Sequence, residues 1–259
     1  MPEPALQIRG LGKDFGGGVV ALRDIDLDVS PGELVCLLGP SGCGKSTLLN
    51  IAAGFVQPSA GSVRAFGKPV SRPGPERAMV FQEYALFPWM TVLDNVAFGL
   101  TVKRDPEARG KARALLAKLS LQGFGDRFPK DLSGGMRQRV ALARALAVDA
   151  PMLLMDEPFG ALDALTRRSM QAELLRIWDE VRKTIVFVTH GIDESVTLAD
   201  RVVVLTYRPG TVKQIVELRL PRPRDPASSG FAEAIKQLTA LVAEEQLRHE
   251  RDESNVALG

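Results

Sequence analysis

Gly39-Pro40-Ser41-Gly42-Cys43-Gly44-Lys45-Ser46-Thr47 fits the pattern G-x-x-x-x-G-K-[ST], a loop that wraps nucleotide phosphates. Glycines let backbone N–H groups turn inward and approach phosphate oxygens with no Cβ in the way. Lys45 supplies a point charge for the β- and γ-phosphates, and the Ser46 hydroxyl is a ligand suited to Mg²⁺. An accidental glycine-rich turn is the alternative. The unbroken apolar run Leu34–Leu38 before the loop, and the helical run Leu48, Leu49, Ile51, Ala52 closed by Gly54 after it, argue against that.

Three other short apolar runs end in polar chemistry. Ala78–Phe81 delivers Gln82, Met152–Met155 delivers Asp156 and Glu157, and Ile185–Thr189 delivers His190. Two adjacent carboxylates after four apolar residues are costly to bury without a cation or partner. A solvated strand end accounts for them equally well, and a lone histidine is more often structural. Yet open α/β sheets bind ligands beyond the carboxyl ends of their strands, and four such endings make one site. Leu132-Ser133-Gly134-Gly135 precedes the helical run Met136–Ala147, so Ser133, Gly134 and Gly135 sit at a helix start suited to an anion. An ordinary capped helix reads the same way.

The positioning elements follow from periodicity. Ala5–Arg9 and Asp24–Val29 alternate as antiparallel strands with one wet face. Between them Phe15 precedes Gly16-Gly17-Gly18, either to stack on a base or to anchor the core. Thr91 is expected to cap Val92–Leu100; Asp105-Pro106-Glu107 reads as N-cap, N1 and acidic first turn, and Asp163 caps the helix carrying Leu174, Leu175, Ile177, Trp178 and Val181. Val202–Leu205 and Val212–Leu218 complete the sheet. Pro221–Pro226 reads as a linker, followed by a helix through Phe231, Ile235, Leu238, Leu241 and Val242 whose last dozen residues fray. His249 is expected at the surface. Tyr84–Met90 is rich in large apolar side chains, as a loop folded on its own core or as a docking surface.

At 259 residues, 45% hydrophobic and 25% charged, the chain has the make-up of a globular protein of one or two domains. A net charge of +2 gives no reason to expect nucleic acid. No apolar stretch reaches bilayer length, Met1-Pro2-Glu3 begins no signal peptide, and the two cysteines, Cys36 and Cys43, suggest no disulfide framework. The cytosol is the expected compartment.

The motifs together resemble the ATP-binding subunit of an ABC transporter, over roughly residues 5–220. The P-loop Gly39–Thr47, the Q-loop Gln82, the signature Leu132–Gly135, Asp156-Glu157, a D-loop Gly160-Ala161-Leu162-Asp163 and the switch His190 carry the likeness, although Gly191 stands where the family usually has Asp. The resemblance implies an α/β fold: a P-loop NTPase (RecA-like) core with an antiparallel β subdomain (1–85 and 150–220), an inserted α-helical subdomain (86–149) and a tail (221–259). It implies ATP and Mg²⁺ as cofactors. Gly39, Pro40, Ser41, Gly42, Cys43, Gly44, Lys45, Ser46 and Thr47 would hold the phosphates, Phe15 the adenine, and Asp163 counts among the nucleotide-binding residues. Ser46, Gln82 and Asp156 would serve the metal, Glu157 the attacking water, and His190 and Gln82 the γ-phosphate. A second copy would close the site with Ser133, Gly134 and Gly135.

Gly74–Arg77, Phe87-Pro88-Trp89 and Arg208-Pro209-Gly210 resemble the nitrate/sulfonate/taurine import group. That likeness implies a permease docked through Gln82–Met90, a periplasmic binding protein as an indirect partner, and a place on the cytoplasmic face of the membrane. An exporter or lipid-transport ATPase, or a soluble ABC ATPase, is the alternative.

Overall fold

The computed structural model describes residues 3–256. Two compact units divide them, one within Met1–Pro73 and Thr184–Gly259, the other Gly74–Lys183.

The first unit opens with β1 (Leu6–Asp14) and β2 (Val20–Val29), paired antiparallel with Leu6 opposite Val29 and Ile8 opposite Leu27. Those four side chains are buried while Gln7 and Asp28 point away, as alternation dictates. The chain continues through β3 (Leu34–Leu38), helix α1 (Lys45–Ala53), β4 (Ala60–Ala65) and β5 (Lys68–Pro69). The antiparallel sheet has the order β2-β1-β4-β5. Every residue of β3 is buried, the signature of a strand covered on both faces.

The second unit holds β6 (Arg77–Val80), α2 (Val92–Val102), α3 (Ala108–Lys118), α4 (Gly134–Ala147), β7 (Met152–Asp156) and α5 (Ala164–Val181). Strands β6 and β7 pair in parallel, Val80 beside Met155. Thr91 caps α2, its Oγ1 accepting from the Asp94 N–H at 3.1 Å. The expected start of the next helix is corrected: α3 begins at Ala108, and Asp105 instead closes the preceding turn, its carboxylate accepting from the Glu107 N–H at 2.9 Å and pairing with Lys111 at 2.6 Å. Helix α4 begins two residues before the expected Met136.

The first unit resumes with β8 (Thr184–Thr189), α6 (Ile192–Leu198), β9 (Arg201–Leu205), β10 (Val212–Glu217) and α7 (Ser229–Val256). Strand β3 lies parallel to β8 and β9, with Leu38 beside both Thr189 and Val204, and β10 runs antiparallel on β9. The segment Pro221–Pro226 is no loose linker. Arg224 is buried and donates to the carbonyls of Val196 and Leu218, while Arg222 pairs with Asp200 at 2.6 Å. Burial, with Arg222 close by, lowers the Arg224 pKa to about 10. Nor does the helix end where fraying was expected; it runs to Val256, and the last three residues of that expectation lie outside the described residues.

Glu245 fixes α7. Its fully buried carboxylate accepts from Lys213 Nζ at 2.8 Å and from the Tyr207 N–H at 3.0 Å. Burial pushes this carboxyl up, but the bonds from Lys213 and Tyr207 outweigh it and hold it below the ordinary 4.5. A lowered carboxyl favours the folded state above its unfolded pKa, and that contribution disappears as pH falls through the folded value. Protection of α7 amides from hydrogen exchange is therefore expected to be level from neutrality to about pH 5 and to fall on further acidification.

Candidate nucleotide site

In the first unit the loop Gly39–Gly44 joins the end of β3 to the start of α1, so the helix N-terminus faces whatever the loop encloses. Gly44 is required twice over. Its φ is +97°, and a Cβ there would stand 2.9 Å from the Ala21 carbonyl. Lys45 is 5% exposed, and its ammonium donates to the carbonyls of Gly39 and Pro40, both at 2.8 Å. Ser41, Gly42 and Ser46 are exposed, and Thr47 is half-buried. The Cys43 Sγ lies 3.8 Å from Lys45 Nζ, yet burial raises its thiol pKa in spite of that cation; Cys36 is raised further by burial. Both remain thiols, the packing role expected of them.

His190 follows β8, and Leu38 and Thr189 are neighbours in register, so the phosphate loop and the histidine leave adjacent strand ends. The histidine is exposed. Where an Asp is usual in the resembling family, the Gly191 N–H donates to Thr189 Oγ1 at 2.9 Å, so the turn is closed by the strand's own hydroxyl. Phe15 is 57% exposed on a turn held by Val19, with Lys13 Nζ 4.9 Å from its ring centre. It anchors no core. An open aromatic face with a cation beside it is suited to a base.

In the second unit Gln82 follows β6, and Asp156 and Glu157 end β7 or follow it directly; with Val80 beside Met155 these three leave neighbouring strand ends. Gln82 is exposed and both carboxylates are half-buried. Glu157 has φ +42°, a conformation costing a non-glycine residue about 1–3 kcal/mol. Ser133 caps α4, its exposed Oγ accepting from the Met136 N–H at 3.3 Å. Gly134 and Gly135 are packed closely, against Tyr84 Oη and the Thr166 side chain. Asp163 caps α5 by accepting from Leu165 and Thr166 N–H at 3.1 and 3.0 Å, and its carboxyl pKa is lowered by the Thr166 side chain first and by those backbone bonds with it.

The Tyr84–Met90 segment is exposed at Trp89 and braced from behind. Trp89 is 71% exposed and leans on Phe87, centroids 5.6 Å apart. Phe87 touches Phe98 at 4.8 Å. Behind them the fully buried Asn95 accepts from the Phe87 N–H at 2.8 Å and faces the carbonyls of Phe87, Met90 and Thr91 at 3.0–3.2 Å. Arg144 of α4 donates to the carbonyls of Ala85 and Tyr84 at 2.6 and 3.3 Å.

Residues 22–160, more than half of the chain, match the family model described as ABC transporter. The chain belongs to the ABC transporter family. An uncharacterized ABC transporter ATP-binding protein of Methanocaldococcus jannaschii is 50% identical over 94% of this chain and 93% of its own length. A nitrate import ATP-binding protein of Synechococcus elongatus is 46% identical over 83% of this chain and 81% of its own. Among solved structures, an ATP-binding cassette captured as a post-hydrolysis dimer with ADP and Pi shares 32% identity, with a TM-score of 0.73 over 83% of this chain and 99% of the other. This ABC ATPase hydrolyses ATP and uses Mg²⁺.

The groups present suit both ligands. Glycine N–H groups at a helix start, with one buried lysine, fit a polyphosphate. Ser46 in the first unit and, taken separately, Asp156 in the second each carry a hard oxygen donor of the kind Mg²⁺ prefers. Sequence reasoning for this ABC ATPase gives no place to Asn95 or Arg144. An amide set among Val92, Leu93, Val96, Ala97 and Leu100 is the signal that marks Asn95, since a polar group on an apolar face must find partners. For Arg144 the sequence holds no such signal.

Proposed function

We propose that this ABC ATPase energises an importer of a small solute, with a nitrate/sulfonate/taurine-type anion as the substrate class, by dimerising on ATP beneath a membrane permease. Among the described residues no helix is long and apolar enough to cross a membrane. The reading therefore has the chain peripheral on the cytoplasmic face, served from the other side by a solute-binding protein. The nitrate import relative supports the transport class. The exposed Trp89, seated on Phe87 and braced by Asn95, is the observation that carries the permease contact. In this proposal 86–149 is the helical subdomain that meets the permease.

Within the ATPase cycle, Lys45 neutralises the β- and γ-phosphates, and Ser133, Gly134 and Gly135 of a second copy close over them. Gln82 and His190 contact the γ-phosphate. Ser46, Gln82 and Asp156 would serve Mg²⁺, which would supply charge neutralisation at the transferring phosphoryl. Glu157 accepts a hydrogen bond from the attacking water and orients it in line. Phosphoryl transfer asks for little else than such positioning and charge. Phe15 stacks on the adenine.

Reconstitution of the chain with a candidate importer permease that binds it tests the proposal: ATP-dependent uptake of nitrate, sulfonate or taurine is expected, and uptake of none of the three would remove the substrate class. Trp89→Ser is expected to weaken the isolated permease complex about tenfold or more, because exposed aromatics at contact centres contribute 2 kcal/mol or more. Its thermal unfolding should be unchanged. Full retention of the complex in pull-downs would return Trp89 to a surface role only.

A further inference from the structure

The turn between β9 and β10 touches the phosphate loop on one side and α7 on the other. Arg208 Nε donates to the Gly42 carbonyl at 3.0 Å, and the guanidinium lies 3.3 Å from where a Gly42 Cβ would stand. Gly210 approaches from beneath: a Cβ there would fall 2.2 Å from the Cys43 carbonyl oxygen. Its own N–H donates to Ala21 O at 2.9 Å, while its carbonyl accepts from the Arg23 N–H at 3.0 Å, tying the turn to β2 as well. On the far side the Tyr207 N–H is held by the buried carboxylate of Glu245, itself paired with Lys213. Thr206 and Thr211 close the base of the turn, their hydroxyls 3.0 Å apart.

An anion-binding loop works by aiming N–H groups inward, which requires its carbonyls to face outward. A carbonyl turned outward gains from a charged donor placed there, and Arg208 is that donor for Gly42. We propose that Arg208 is a positioning residue for the phosphate loop, and that Glu245 of the C-terminal helix anchors the turn that carries it. The helix thereby governs ATP affinity without touching nucleotide. The proposal rests on the reading of Gly39–Thr47 as the ATP-phosphate loop.

The test uses the full chain, with trinitrophenyl-ATP binding and steady-state ATPase as paired readouts. Arg208→Ala is expected to raise the KM for ATP and the Kd of the analogue about tenfold, the scale of a lost charged hydrogen bond, with kcat within about twofold. Arg208→Lys, which keeps the charge and one donor, recovers most of the affinity. Unchanged affinity in Arg208→Ala, or a loss confined to kcat, overturns the role. Glu245→Ala should raise KM about threefold, and Glu245→Gln, whose amide oxygen still accepts from Tyr207, should restore it. Equal KM in Glu245→Ala and the parent overturns the anchoring by α7. Gly210→Ala probes the same contact without altering the helix: its Cβ has no room, so ATP affinity is expected to fall at least about tenfold. Normal affinity there also overturns the proposal. Lys45→Ala runs in parallel. If it still binds the analogue normally, the phosphate-loop reading fails, a result distinct from any failure of Arg208.

Discussion

Glu157→Gln is expected to remove ATP turnover almost entirely, by about 10²–10⁴-fold in kcat, while ATP binding stays within twofold of the parent. The amide matches the carboxylate in shape and keeps an oxygen, so nothing about nucleotide affinity depends on the change. What it lacks is a charge able to polarise water. The backbone adds weight to this position. A glutamate held at φ +42° directly after β7 is a strained residue, and such strain persists only where the surroundings over-determine it. Single-turnover hydrolysis, with binding measured separately, decides the matter. Near-normal turnover in this variant would take Glu157 out of the reaction.

The second large effect is expected at Ser133. Replacement by Arg should leave ATP binding by monomers intact, abolish ATP-driven dimerisation and lower turnover by about 10²-fold, the scale of a lost transition-state donor. Ser133 is exposed, and among the described residues its side chain makes one bond within the chain, the cap on Met136, whose loss costs about 0.5–2 kcal/mol. That cost is too small to unfold the protein. Ser133→Asn, a residue that caps equally well, separates the two contributions: it should restore thermal stability without restoring the dimer. Sedimentation in the presence of ATP is the measurement, and an intact ATP dimer of Ser133→Arg would contradict closure by a second copy.

Much of this molecule was legible because burial on two faces writes a strong sequence signal. The runs at Leu34–Leu38, Met152–Met155 and Ile185–Thr189 are buried strands, and the polar residues that follow them stand at strand ends as expected. Caps at Thr91, Ser133 and Asp163 were equally plain, because a side-chain oxygen before a helical run has a local job. The misreadings share a cause. Asp-Pro-Glu describes a turn as well as a helix start, and here Lys111 favoured the turn. Pro221–Pro226 has a linker's composition, but Arg224 finds its carbonyls on α6 and after β10, contacts no local pattern announces. For Phe15 the local sequence permits a core anchor or an open ring, and its exposure removes the core anchor. The backbone of Glu157 and the reach of Arg208 belong to tertiary structure and leave no trace in spacing.

The lysine of the phosphate loop carries a last consequence. Two of the three N–H donors of its ammonium are engaged by the carbonyls of Gly39 and Pro40, so the loop's own backbone holds the cation in place. Bonds from a charged donor are each worth about 1.5–3 kcal/mol, and the remaining donor needs no rearrangement of these two to meet a phosphate. The cation is thus set beside the helix N-terminus before any charge arrives, an arrangement suited to a polyphosphate.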